Sequence, residues 1–189
     1  MTLILNLYDG AIALMQRILG EWFLPTLARF TFGAVLLVYF WNSAKTKLGD
    51  GVFGFLHPNE NAFMQVFPQR MEAYGYDISA FSSLDMLIVT AGTLAEFLLP
   101  LLIVIGLFTR IAAIGMTGFV IIQSLVDVYG HKVGAKTIGA WFDGPSNSLI
   151  MDQRLLWIVV FAILIVKGAG PLSLDRLLRR RPTNHRSPF

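Results

Sequence analysis

The chain contains no cysteine. Disulfides, thiolate metal sites, thiol nucleophiles and dithiol redox centres are therefore all excluded. Charge is also scarce. Only 14% of residues are Asp, Glu, Lys or Arg, against about 25% in a soluble domain. Histidine occurs three times, and none of the three falls inside a long apolar stretch. The sequence shows no phosphate-binding glycine loop, dinucleotide fingerprint, zinc-protease helix or serine-nucleophile elbow, and hence no haem, flavin or nucleotide motif. There is no low-complexity segment and no repeat of fixed period.

What is abundant is apolar surface. Hydrophobic residues make up 55% of the 189, and the mean hydropathy is +0.63. Disorder requires the opposite balance. The length fits one domain, and the composition points to an integral membrane protein.

Residues 3–22 read as an amphipathic helix. Ile4, Leu7, Ala11, Leu14, Met15, Ile18 and Trp22 fall at three- and four-residue steps, while Asn6, Asp9, Gln16, Arg17 and Glu21 lie mostly off that stripe. Such a helix lies in the membrane interface or packs on the other spans. The first basic residue is Arg17, so the opening does not read as a secretory signal. Pro25 then breaks or restarts the helix. Four apolar stretches follow, near 26–44, 86–108, 111–129 and 154–171. A spanning helix needs about 20 mostly apolar residues. The last stretch is the weakest, and it reaches the far face if Lys167 snorkels. The expected fold is all-α: a membrane four-helix bundle (24–178), preceded by the amphipathic helix (1–23) and followed by a basic tail (179–189).

Basic residues set orientation. Arg17, Arg110, Arg176, Arg179, Arg180 and Arg181 flank one side of the spans. The loops 45–85 and 130–153 carry Lys and Arg balanced or outnumbered by Asp and Glu. The rule places both termini in the cytoplasm and the two long loops outside, in a bacterial inner (plasma) membrane. The basic tail reads as an anchor to acidic lipid. Nucleic-acid binding is not expected, because no basic fold accompanies it. The first loop is rich in Phe and Tyr. It should lie against the interface, hold a short helix near 60–74 and cap the outer helix ends.

Ionisable residues at membrane depth are costly and mark function or packing. Glu96 lies near the middle of the second span with Thr93 one turn before it, and Arg29 lies inside the first. An Arg29–Glu96 ion pair would either fix helix packing or form part of a proton relay or ligand site. These two are the candidate catalytic residues. Asp127 and His131, four apart in DVYGH, share a helix face. They are weak metal-ligand candidates, with His57 as a possible third, since a transition metal needs at least three protein ligands. Asn42 and Lys45 end the first span and Arg154 opens the fourth. With Asp127, His131 and Lys47 they form either a ligand site, for an anion or a quinone head group, or an ordinary polar rim. Ala91, Ala95, Gly115 and Gly118 are small residues that let helices approach closely.

Three segments carry a family resemblance. ARFTFGAVLLVYFWNSAKTKL, AEFLLPLLIVIGLFTRIAAIGM and GAGPLSLDRLL resemble the first helix, the second and third helices, and the ending of the DoxX family. They occur in the family's order and cover about 26–44, 86–129 and 154–178. The resemblance implies a four-helix membrane fold whose relatives include membrane subunits of a thiosulfate:quinone oxidoreductase and proposed anchors of redox or metal-handling enzymes. It transfers no agreed catalytic residue; Arg29, Glu96 and Arg110 sit at patterned positions. The long aromatic loop and the N-terminal helix depart from the simpler members. The first expectation is a non-catalytic accessory subunit, with a protein partner or homodimer and membrane lipid around it. A quinone-coupled oxidoreductase, with quinone as the possible cofactor, and a small transporter or exporter are the alternatives.

Overall fold

The computed structural model describes residues 2–51 and 53–179, without the side chains of residues 2–4 and 18. The expected basic tail at 180–189 lies outside the described residues. The described residues are all-helical and contain no strand. Four helices are long and apolar enough to cross a membrane: α1 (Leu5–Lys45), α4 (Ser83–Ile105), α5 (Thr109–Gly130) and α7 (Leu149–Lys167). Shorter helices are α2 (Glu60–Val66), α3 (Pro68–Ala73), α6 (Ala135–Ile138) and α8 (Leu174–Arg179). By length and composition this is an integral membrane protein.

The long helices run alternately up and down. Neighbours around the bundle are α1 and α7, α7 and α5, α5 and α4, and α4 and α1. Phe32, Phe40, Met116, Phe161, Ile103 and Leu164 fill its centre with almost no exposure. Edge-on ring contacts, such as Phe40 on Phe119 at 6.0 Å and Tyr39 on Trp157 at 5.4 Å, join helices that lie far apart in sequence.

Pro25 does not end the first helix, contrary to expectation. Residues Leu19–Phe23 form a π-helical stretch immediately before it. Widening the hydrogen-bond step there makes room for a ring that would otherwise strike the preceding turn. Residues 2–23 are thus helical and continuous with the first span. The contact of this extension with the other spans is at its end, where a Cβ on Gly20 would lie 3.8 Å from Lys167 Nζ. Leu7, Leu14, Met15 and Trp22 are exposed.

The fourth span begins earlier than the apolar pattern implied. Ser148 accepts from the Asp152 N–H and starts a turn at Leu149, so Asp152 and Gln153 lie inside the helix. The span then covers 19 residues, and Leu149, Ile150 and Met151 join its apolar length.

The expected helix near 60–74 is two helices, α2 and α3, divided at Phe67–Pro68. A residue before proline avoids the helical region, and Phe67 has φ −128°, ψ 55°. Together they build a small second core in which Phe63, Ala62, Met71 and Val89 are fully buried. Arg70 forks onto Asp85 at 2.6 and 2.7 Å, and its guanidinium lies 5.0 Å from the Phe81 ring centre. Hydrogen bonds to Asp85 first and Tyr74 next push the Arg70 pKa up, so it is charged at any physiological pH. Asp85 also completes a capping box with Ser82, starting α4. The first loop is therefore a folded lid on the loop end of the bundle.

The opposite end, where the described chain starts and stops, is locked by the residues that carry the family resemblance. Gly106 ends α4 at φ 70°, and a Cβ there would lie 2.6 Å from Ser173 Cβ. Phe108 follows at φ 48°. The Asp175 carboxylate accepts from Phe108 N–H at 2.8 Å and Thr109 N–H at 3.0 Å, satisfying the first amides of α5. The Asp175 N–H in turn donates to Gly106 O at 2.8 Å. Asp175→Ala is expected to cost about 1–2 kcal/mol, as loss of an N-terminal cap does. Thermal unfolding in mild detergent measures it, and an unchanged midpoint would refute the capping role.

Candidate functional site

Glu96 is almost fully buried, at 2% exposure, but its partner is not Arg29. Lys47 makes a direct ion pair with Glu96 Oε1, and Ser43 Oγ approaches the same oxygen at 3.5 Å. Arg29 instead holds backbone carbonyls at the other end of the bundle. It donates to Ala169 O at 2.7 Å, Val104 O at 3.0 Å and Leu172 O. The expected Arg29–Glu96 pair fails on distance along the helix. Ser43, level with Glu96, lies 14 residues beyond Arg29, or about 21 Å at 1.5 Å per residue. Arg29 ties α1 to α4 and to the segment after α7, and belongs to the same lock as Gly106 and Asp175.

Lys47 reaches Glu96 because α1 stops just before it. After Lys45 the chain turns, with the Lys47 N–H donating to Ala44 O at 3.0 Å. Asn59 fixes the turn. Its side-chain amide donates to Thr46 O and Leu48 O, its N–H to Lys47 O, and its oxygen caps α2. Helical periodicity describes residues up to Lys45 only. It assigns no direction to Lys47, and the only available signal was a lysine within reach of a lone intramembrane carboxylate. Asn42 and Lys45 remain exposed on α1, outside the cleft described next.

Above the ion pair a cleft of 540 Å³ separates α4 and α5 at the loop end. Glu96, Lys47 and Ser43 form its polar floor. Its walls are mainly apolar, with Ile88 and Ile122 exposed at the rim. Gln65 and Val66 of the lid also line it. Of the small residues expected to let helices approach closely, Gly115 does so, since a Cβ there would lie 3.0 Å from Leu99 Cδ1, whereas Gly118 faces open space. Ala91, Ala95, Gly115 and Gly118 line the cleft with Gly92, and a Cβ on Gly92 or Gly118 would meet nothing within 4 Å. The missing side chains are the cavity.

Two buried acceptors in the cleft lining lack partners: Glu96 Oε2 and Gln123 Oε1. Buried polar atoms are normally satisfied, and leaving one bare costs about 1–3 kcal/mol. An unpartnered carboxylate oxygen under an apolar cleft is a place for a ligand hydroxyl or N–H.

Asp127 and His131 both line the cleft, as their shared helix face required. They do not form a metal site, and among the described residues no three of His, Asp and Glu gather around one point. Asp127 is paired instead with Arg154 at 2.5 Å. Arg154, 2% exposed, also donates to Ser124 at 2.9 Å and so joins α7 to α5. The His131 ring nitrogen lies 3.2 Å from Gln65 O, linking α5 to the lid. His57 stands exposed in the first loop. Of the polar group expected at this end, only Lys47, Asp127 and His131 line the cleft, and Arg154 supports it from behind through Asp127.

No family model matches the chain, and no curated protein or solved structure matches it.

Proposed function

We propose that the protein is a DoxX-like redox accessory subunit of a bacterial inner membrane, and that its own contribution is a binding site for a quinone-type head group between α4 and α5. The observation that carries this reading is the Glu96 carboxylate. It is buried at the floor of an apolar cleft, held by Lys47 at one oxygen and free at the other. A quinone head group has carbonyl acceptors, its reduced form has hydroxyl donors, and both carry an apolar ring and tail. The floor matches that alternation. Lys47 and the Gln123 amide are donors, Glu96 Oε2 is an acceptor, and the small-residue walls leave room for a flat ring. A bound quinone would supply the redox chemistry. The chain itself binds, orients and excludes water. A partner protein would then supply the electron donor, because the sequence holds no thiol or cofactor motif of its own.

Gly118 provides the test. A Cβ there would meet nothing within 4 Å, so a leucine starts into open space and takes up room in the cleft that Gly118 lines. Helix propensity favours the change by up to about 1 kcal/mol. Gly118→Leu is therefore expected to keep or raise the thermal midpoint while weakening binding of a short-tailed benzoquinone at least tenfold. Isothermal titration of the purified protein in mild detergent reads the affinity. Equal quinone affinity in the wild type and the variant, or no binding to the wild type, would end the proposal.

A further inference from the structure

We infer that the end of the bundle opposite the lid carries a second ligand site, for the phosphate of an anionic phospholipid. A hollow of 240 Å³ lies there, between the extension of α1, the start of α5, the end of α7 and α8. Four cations line it: Arg110, Lys167, Arg176 and Arg179. Among the described residues none of them lies within 4 Å of a carboxylate. Two carboxylates also line the hollow. Both oxygens of Asp175 already accept the Phe108 and Thr109 amides, which leaves Glu21 as the one carboxylate not so engaged. The hollow therefore has a surplus of unpaired positive charge, and a multiply bonded anion would relieve it.

The backbone keeps the hollow open. Gly168 turns the chain at φ 79°, and a Cβ there would lie 3.3 Å from Arg110 Nε. The glycine lets the guanidinium lie directly over the chain. A Cβ on Gly20 would lie 3.8 Å from Lys167 Nζ, so the ammonium sits beside the α1 extension, next to Glu21.

Two observations point to a lipid rather than a free phosphate. Arg110 stands in the first turn of α5 and Lys167 is the last residue of α7, so the hollow sits where two apolar spans end. That is the level of a bilayer's phosphate layer. Beside it runs a groove of 570 Å³ that shares Pro171, Ser173 and Arg176 with the hollow and continues along Ile105, Leu172 and Leu177. Leu172 and Leu177 are exposed at 68% and 61%. A charged hollow joined to an apolar groove has the shape of a head group joined to an acyl chain.

Native mass spectrometry of the full chain in neutral detergent tests this with phosphatidylglycerol and phosphatidylcholine of identical acyl chains. The wild type should retain the anionic lipid at least tenfold more than the zwitterionic one. Arg110→Gln with Lys167→Gln should remove that preference, Lys167→Arg should keep it, and Arg180→Gln with Arg181→Gln should leave it in place. Equal retention of the two lipids by the wild type would overturn the proposal whatever the variants do. So would a preference that survives the pocket variant and vanishes with the tail variant. Inorganic phosphate at millimolar concentration should neither displace the lipid nor raise the thermal midpoint. If it does both, the site is one for free phosphate and the lipid assignment is wrong.

Discussion

Replacing Lys47 by methionine should lower the stability of the protein by about 3–5 kcal/mol, the cost of leaving a buried charge without its partner. Lys47 and Glu96 have side-chain exposures of 7% and 2%, so water cannot replace the lost ammonium. Glu96→Leu should be comparably harmful, because it strands the lysine. The double change Lys47→Met with Glu96→Leu should recover most of the loss. Replacing both members of a buried pair by apolar groups is often neutral or better. Unfolding in a denaturing detergent series measures all three. Single variants as stable as the wild type would refute the buried pair. The double variant also separates the two roles of the site: it should be folded and yet fail to bind the benzoquinone probe. A folded double variant with undiminished quinone affinity would show that the pair serves packing alone.

Arg154→Met should have an effect of similar size, about 3–5 kcal/mol, on different ground. Arg154 is the buried strut between α7 and α5, and its removal frees both Asp127 and Ser124. Asp127→Asn should cost less. The Asp127 side chain is 23% exposed, and an amide oxygen can still accept from the guanidinium. The order of the two variants is the informative result. If Asp127→Asn were the worse, the stranded charge of the buried guanidinium would outweigh the loss of its contacts. Because Asp127 also lines the cleft, Arg154→Met should loosen quinone affinity even under conditions where the variant stays folded.

The residues that carry the family resemblance divide between the cleft and the opposite end of the bundle. At that end Asp175 is hydrogen-bonded to the backbone of Gly106 and Phe108 across one left-handed turn, and Arg29 donates to the carbonyls of Ala169 and Val104. Their pattern records how four helices are tied together. Glu96, Lys47 and Ser43 lie in the same patterned segments but meet at the cleft, and the turn that brings Lys47 there is held from outside them by Asn59.

The sequence by itself determined the class of the molecule and the number of its spans. These follow from composition and run length, which are local quantities. It also placed Asp127 and His131 on one face, because four residues is one helical turn. It marked Glu96 as exceptional, because a single carboxylate in an apolar run has few harmless places to go. Only the tertiary structure decided which cation meets Glu96. That choice depends on where α1 stops, how the chain turns at Lys47 and how far apart Arg29 and Glu96 lie along two antiparallel axes. It likewise decided that Gly92 and Gly118 leave a cleft open while Gly115 lets Leu99 of the neighbouring helix approach closely. A small side chain permits either outcome, and the neighbours that fill or leave the space come from distant parts of the chain.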